Sequence, residues 1–275
     1  MGDEDLSDYL VTYDHWSNDT VRVSVLLPND SLYLGAIPRV GPAIELAIQK
    51  IQDQGTLPEW KWQVKYRDTK CSTSDGPMQA FRAFTEQRLH VFFGPYCDYV
   101  IAPIARLLKF WNVPMLTAGA LARDYGFDKS TFDKEFYLLT RTGLSFNGVT
   151  SFLLAIFRRF DWQNVLITYE ELARPQIARE DYCVLLTKAL VAEFRLLGNF
   201  SFQPFKLKSN ISAAESRNVL KKEVGTKYGG AFGVTIHAIF FRLAKLKKVV
   251  VFSFRFFFGE TIHAISFRNA SDWQS

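Results

Sequence analysis

From Val21 onward, short runs of β-branched and aromatic residues alternate with longer segments whose apolar positions recur every three or four residues. This is the pattern of a parallel sheet flanked by helices. VRVSVLLP (21–28) predicts the first strand. RVGPAIELAIQKIQDQG (39–55) predicts a helix with Ala43, Leu46, Ala47 and Ile51 on one face and Gly55 closing its C-terminus. WKWQVKYRD (60–68) alternates as a strand, residues 76–89 follow as a helix, and HVFFGPY (90–96) predicts the third strand. A helix over 99–111 and a strand at VPMLTAG (113–119) complete four β-α repeats, close to one doubly wound half.

After a polar loop the alternation resumes with strand FYLLTRTG (136–143), helix 145–160, strand NVLITYEE (164–171), helix 181–197, strand SFQPFKL (201–207) and helix AAESRNVLKKEV (213–224). The expected organisation is an acidic, disordered segment over 1–20, a first α/β lobe over 21–135 and a partial second α/β lobe over 136–229. Val184, Leu186, Ala189 and Val191 form a stripe expected in the second core. Residues 230–275 break the texture. GVTIHAIFFR (233–242) and GETIHAISFR (259–268) agree at eight of ten positions, with Lys, Val and Phe between them. Two copies are too few for a solenoid and neither alternates clearly, so no fold is assigned to this Phe- and Lys-rich tail. Its composition reads as translated non-coding or misjoined sequence, making the chain a truncated product; the other reading is an exposed, aggregation-prone appendage.

Composition changes this picture in three ways. With 275 residues and 48% hydrophobic side chains, the chain can bury a substantial core. The net charge of +5 belongs to the tail, where residues 221–275 hold nine Lys or Arg against three acids. Consecutive Phe residues there match no nucleic-acid-binding module, so no nucleic-acid partner is expected. The first twenty residues carry six acids and no Lys or Arg, the reverse of a secretory signal or a mitochondrial presequence. The most apolar run, VVVFSFRFFFG, is short and broken by Arg255, so no transmembrane helix is predicted. Asn-x-Ser/Thr sequons at Asn18, Asn29, Asn199, Asn210 and Asn269 favour a secreted protein.

Candidate chemistry is sparse. There is no G-x-S-x-G elbow, H-E-x-x-H motif, P-loop or G-x-G-x-x-G, and the histidines at 15, 90, 237 and 263 are far apart. An enzyme is not expected, nor is a metal site. The cysteines at 71, 97 and 183 fit neither a CxxC pair nor a zinc ribbon. Cys97, just ahead of a helix, has the setting of a thiol activated by the helix dipole. The competing reading is a disulfide: Cys71 follows the second strand and Cys97 the third, and the carboxyl ends of parallel strands share one edge. Such a bridge closes a loop of about 26 residues and stabilises by roughly 3 kcal/mol on the loop-entropy estimate. The bridge is the preferred reading, and it requires an oxidising compartment.

RVGPAIELAI, the interval from Cys71 to FFGPYC, CDYVIAPIARLLKFWNVPMLTAGALA and the later LTRTGLSFNGV with LLAIFRRFDW resemble the hormone-binding ectodomain of natriuretic peptide receptors and related receptor guanylate cyclases. The resemblance covers about Val21 to Thr226. It implies a type I periplasmic-binding-protein fold, of which this chain holds the first lobe and part of the second, with a peptide hormone bound between the two protomers of a homodimer. It further implies an extracellular domain whose membrane span, and any cyclase, lie in absent C-terminal sequence. It pairs Cys71 with Cys97 and leaves Cys183 without its family partner. It also implies a structural chloride, and no other cofactor, held by the Thr69 hydroxyl and the amides of Tyr96 and Cys97. Peptide contacts map to Tyr99, Arg106, Ala122 and Tyr169. The segment ARPQIARE and Val184 depart from the family's pattern around Cys183, so the ligand's identity does not carry over. A small-molecule, amino-acid-type receptor lobe of the same fold is the alternative, for which LTAGALA offers only Thr117.

Overall fold

The computed structural model describes residues 19–86, 89–159, 161, 163–170 and 182–207, isolated positions 215, 218 and 222, and the backbone of four strands beyond residue 229. The N-terminal segment, Asn18, the ARPQIARE segment, Asn210, Asn269 and nearly all of the predicted helix at 213–224 lie outside the described residues. Two compact units divide at Ser145 and Phe146.

The first unit runs β1 (Thr20–Leu27), α1 (Ile37–Asp53), β2 (Lys61–Asp68), α2 (Asp75–Glu86), β3 (Val91–Phe93), α3 (Asp98–Trp111), β4 (Met115–Thr117) and β5 (Leu139–Arg141). Its five parallel strands lie in the order β2-β1-β3-β4-β5. From Val23 to Leu27 β1 is buried on both faces, with Ser24 the one polar residue among Val23, Val25, Leu26 and Leu27. Val23, Val25 and Leu27 face one cluster with Ile37, Val40 and Ile44 of α1. Leu26, with Phe92 and Met115 of β3 and β4, packs into the other cluster with Ala80 and Ala83 of α2 and Ile101, Ile104 and Leu108 of α3. Trp111 closes that core by stacking on Phe84 at 4.8 Å between ring centroids.

Two expectations change here. The strand assigned to the second lobe at 136–143 pairs through Leu139–Arg141 with β4, so the first unit extends to Ser145. Strand-helix alternation does not reveal which sheet a strand joins; only the pairing does. The inward face of α1 is also rotated. Ile37, Val40, Gly41 and Ile44 point to the sheet, whereas Ala43 and Ala47 are exposed and Leu46 is 66% exposed. Apolar residues occur on both faces of α1, Ala43, Leu46 and Ala47 on one and Ile37, Val40 and Ile44 on the other, so periodicity alone did not fix the buried stripe. Gly41 supplies close approach, with the Tyr66 ring 3.5 Å from the position its Cβ would take.

The second unit contains α4 (Phe146–Arg159), β6 (Asn164–Glu170), α5 (Tyr182–Leu197) and β7 (Ser201–Leu207). Its core is aromatic: Phe194 stacks on Phe200 at 4.6 Å and meets Phe202 at 5.3 Å and Phe157 at 5.7 Å. Leu186 and Ala189 are buried as expected, while Val184 and Val191 are half-buried and Cys183, Thr187 and Leu190 take the inner positions. The tail continues this unit's sheet. β8 (Gly230–Val234) pairs parallel with β6, and β9 (Ile239–Leu243), β10 (Lys248–Phe252) and β11 (Ala264–Phe267) follow antiparallel. The six-stranded order is β11-β10-β9-β8-β6-β7, so strands occur where the sequence pattern assigned no fold. Among the described residues no helix is long and apolar enough to cross a membrane.

Candidate functional site

In an open α/β sheet the carboxyl ends of the strands collect loops at one edge, and a crevice opens where the strand order reverses. In the first unit the reversal lies at β1, which has β2 on one side and β3 on the other. Asp68 ties the loop after β1 to the loop after β2, its Oδ1 accepting the N–H groups of Asn29 at 2.9 Å and Lys70 at 2.8 Å.

Lys70 and Cys71 both adopt left-handed backbone, with φ of 51° and 52°. This turn doubles the chain back over the end of β1 and lets Cys71 reach Cys97 in a disulfide with a Cα–Cα distance of 5.7 Å. β2 and β3 are not neighbours, so the shared carboxyl edge was necessary for this contact but not sufficient; the double left-handed turn supplies the remaining reach. The bond also removes Cys97 from consideration as an activated thiolate. Cys183 is instead a buried thiol on α5.

Cys97 is the N-cap of α3 in extended conformation, and its carbonyl accepts the N–H groups of Val100 and Ile101, both at 3.0 Å. Thr69 is fully buried beside this bridge. Its hydroxyl accepts the Cys71 N–H at 3.4 Å and its own N–H donates to the Leu27 carbonyl at 3.0 Å. Ahead of the cysteine, Gly94 has φ of +82°, and a Cβ there would collide with the Leu26 carbonyl oxygen. Gly35 and Gly119 likewise leave room for the ring and carbonyl of Tyr96.

The loop after β4 is held by polar groups inside the core. The Thr117 hydroxyl donates to the Pro95 carbonyl and accepts the Gly119 N–H at 2.9 Å. Asp98, almost fully buried at the start of α3, accepts the Leu121 N–H on Oδ1 at 2.7 Å. The Asp98 carbonyl accepts the Tyr125 hydroxyl at 2.6 Å. With its hydroxyl engaged on both sides, Thr117 is poorly placed to clamp an amino-acid ligand.

Of the predicted peptide contacts, three belong to the first unit. Tyr99 is 43% exposed in the first turn of α3, and Leu107 and Phe110 continue an exposed apolar stripe along the same helix. Arg106 lies in that stripe, its Nε donating to Glu135 at 2.6 Å and its guanidinium 5.6 Å from the Phe136 ring centre. Ala122 is half-buried, and its carbonyl accepts Arg141 Nη1 at 3.4 Å. Tyr169 lies on β6 of the second unit, in register with Lys206 and Val234. Asn29 and Asn199 are exposed. Among the described residues, no group of three or more His, Cys, Asp or Glu is arranged to hold a metal.

The sequence reading passed over Asp98, Lys129 and Arg141. Lys129 donates to the Leu139 carbonyl at 2.9 Å and Arg141 ends β5. The available signal for Arg141 was its place at the carboxyl end of a strand; Asp98 was marked by its position in the first turn of a helix.

The family pattern described as receptor family ligand binding region matches residues 39–227. Atrial natriuretic peptide receptor 3 of Homo sapiens is 35% identical over 158 residues, covering 55% of this chain and 28% of that protein. Atrial natriuretic peptide receptor 2 of Anguilla japonica is 32% identical over 149 residues, covering 52% of this chain and 14% of the relative. The chain therefore spans well under a third of the length of these relatives. Among solved structures, an ABC transporter substrate-binding protein from Desulfitobacterium hafniense superposes with a TM-score of 0.59 at 16% identity, over 78% of this chain and 58% of that one. A leucine-binding protein from Thermotoga maritima gives 0.50 at 17% identity, over 78% and 55%. At such identities the likeness is one of fold: the α/β architecture of periplasmic binding proteins.

Proposed function

The chain belongs to the receptor ligand-binding-region family, and from that premise we propose that it is the extracellular hormone-binding region of a natriuretic-peptide-receptor-like membrane receptor. A peptide binds between two protomers and signals by reorienting them. The observation that carries this reading is the family match, which spans both cysteines of the disulfide in the first unit. The exposed stripe of Tyr99, Arg106, Leu107 and Phe110 supports it with aromatic area and a cation suited to peptide carbonyls.

The Cys71–Cys97 bond and the exposed sequons at Asn29 and Asn199 support an extracellular location. The homodimer is supported by the apolar outer positions of α1, where Ala43, Ala47 and Leu46 stand exposed beside a groove of about 240 Å³ lined by Ile44, Ile48, Trp62 and Phe93. A structural chloride at Thr69, Tyr96 and Cys97 belongs to the same proposal. The donor set fits a small anion: the buried Thr69 oxygen already accepts an N–H, which leaves its proton to donate, and main-chain amides at a helix start favour negative charge.

The test is titration of the secreted, glycosylated chain with a fluorescent natriuretic-type peptide, read by anisotropy and by sedimentation. Saturable binding with two protomers per peptide is expected. Absence of peptide binding, with heat released on addition of leucine instead, overturns the proposal in favour of an amino-acid receptor lobe.

A further inference from the structure

The two copies of the repeat, starting at Gly233 and Gly259, place strands on either side of β10. Ile239, Phe240 and Phe241 of β9 correspond in sequence to Ile265, Ser266 and Phe267 of β11. β10 pairs antiparallel with each strand, Val250 standing opposite Phe241 on one side and opposite Ser266 on the other. The registers of the two copies therefore differ by one residue, and that step decides which edge each copy presents.

Successive residues of a strand send their main-chain N–H and C=O groups to alternate sides. The Ser201 N–H donates to the Gln163 carbonyl at 2.8 Å, so Val165 and Ile167 of β6 turn toward β7, and Leu166 and Thr168 toward β8. Followed through the pairings, this alternation directs Gly233 to β9, Phe240 to β8, and Ile239 and Phe241 to β10. On the far side of β10 it directs Ile265 and Phe267 inward and Ala264 and Ser266 outward. Corresponding residues of both copies thus point at β10. The outer edge of β11 corresponds to the edge of β9 that holds β8 antiparallel, and among the described residues the sheet ends there. The opposite end of the sheet is unlike it. Along β7 the outward positions are Phe202, Pro204 and Lys206, and Pro204 has no N–H to offer an incoming strand. β11, with the sequence AISF, contains neither proline nor a charged residue.

We infer that β11 is a self-association edge, at which the outward main-chain groups of Ala264 and Ser266 pair antiparallel with β11 of a second copy. A two-fold axis supplies an antiparallel partner of this kind, and it joins two six-stranded sheets into one. Pairing consumes the β11 edge of both copies, and Pro204 closes the other end, so assembly stops at the dimer. The contact needs no peptide and is separate from the peptide-bridged pair of the receptor reading.

The experiment is sedimentation equilibrium of the full, peptide-free chain over a concentration series, with hydrogen exchange read at single amides. A monomer–dimer equilibrium is expected. The Ser266 amide should be protected in the dimer and exchange freely on dilution, while those of Ile265 and Phe267, directed to β10, stay protected throughout. Ser266→Pro removes an outward donor from each copy and no bond to β10, so it should weaken the dimer about tenfold or more. Retained protection of Phe267 in that variant shows that its β11 still pairs with β10. A wild type that stays monomeric or grows beyond two copies overturns the edge, as does Ser266 exchange that ignores concentration or an unaltered dimer in Ser266→Pro. A chain that dimerises through β11 and ignores natriuretic-type peptide upholds the edge and removes the receptor reading; the converse removes the edge alone.

Discussion

Cys71 and Cys97, 26 residues apart in sequence, meet at a Cα–Cα distance of 5.7 Å across the end of β1. The bond joins the loops on the two sides of the strand-order reversal and anchors the start of α3, from which Tyr99 and Arg106 project. Replacing both cysteines by serine should lower stability by roughly 3 kcal/mol, the loop-entropy value for a closure of this length. Urea denaturation of the oxidised and doubly substituted chains measures it. A peptide map without reduction should recover the linked Cys71–Cys97 pair, with Cys183 alkylated only after unfolding.

Gly94→Ala and Gly55→Ala separate two costs of a side chain at positive φ. Both glycines have left-handed backbone, at +82° and +62°, but a Cβ at Gly55 meets nothing within 4 Å whereas one at Gly94 strikes the Leu26 carbonyl. Gly55→Ala should cost about 1 kcal/mol, from backbone conformation alone. Gly94→Ala adds displacement of β1 and should cost upwards of about 3 kcal/mol. Equal urea midpoints for the two variants would show that β1 yields without penalty.

His90 gives the first unit a pH dependence. Its Nδ1 accepts the Arg22 main-chain N–H at 2.9 Å, and its own main-chain N–H donates to the Arg22 carbonyl at 3.0 Å, closing the start of β3 on β1. Burial first, and the charge of Arg22 second, hold its pKa below the ordinary histidine range. A depressed folded pKa means that the unfolded chain takes up the proton first. Stability is therefore complete above the unfolded value, about 6.5, and is lost as pH falls from there through the folded pKa. Comparing urea midpoints at about pH 7.5 and pH 5 in wild type and His90→Gln should show a decline that the variant lacks.

Arg106 and Tyr99 should matter to the ligand and little to the fold. The Arg106–Glu135 pair has both side chains about half exposed, a setting in which an ion pair contributes about 0–1 kcal/mol. Arg106→Ala and Tyr99→Ala should leave the melting temperature nearly unchanged while weakening a natriuretic-type peptide by roughly tenfold each, about 1.4 kcal/mol. Unaltered peptide affinity in both variants would place the binding surface elsewhere.

The chain's own pattern determined the strand-helix alternation up to Leu207, because a strand buried on both faces must be rich in β-branched and apolar residues and its covering helices must carry periodic stripes. VRVSVLLP and DYVIAPIARLLKFW show this directly, matching β1 and α3 to within a residue or two. The resemblance carried by Cys71, FFGPYC and VPMLTAGA indicated the family for the same reason: those residues build the one edge where the loops are fixed. Tertiary structure alone decided what depends on partners distant in sequence. Pairing with β4 assigned Leu139–Arg141 to the first unit, and packing chose Ile44 over Leu46 as the inward side chain of α1. Pairing with β6 likewise drew Gly230–Val234 into a sheet that local pattern did not predict. The hydrogen bond from Lys129 to the Leu139 carbonyl arises only when the loop folds back over its own strand. A sequence records which groups each residue offers, but desolvation and proximity, which set what those groups do, exist only after the chain has closed around them.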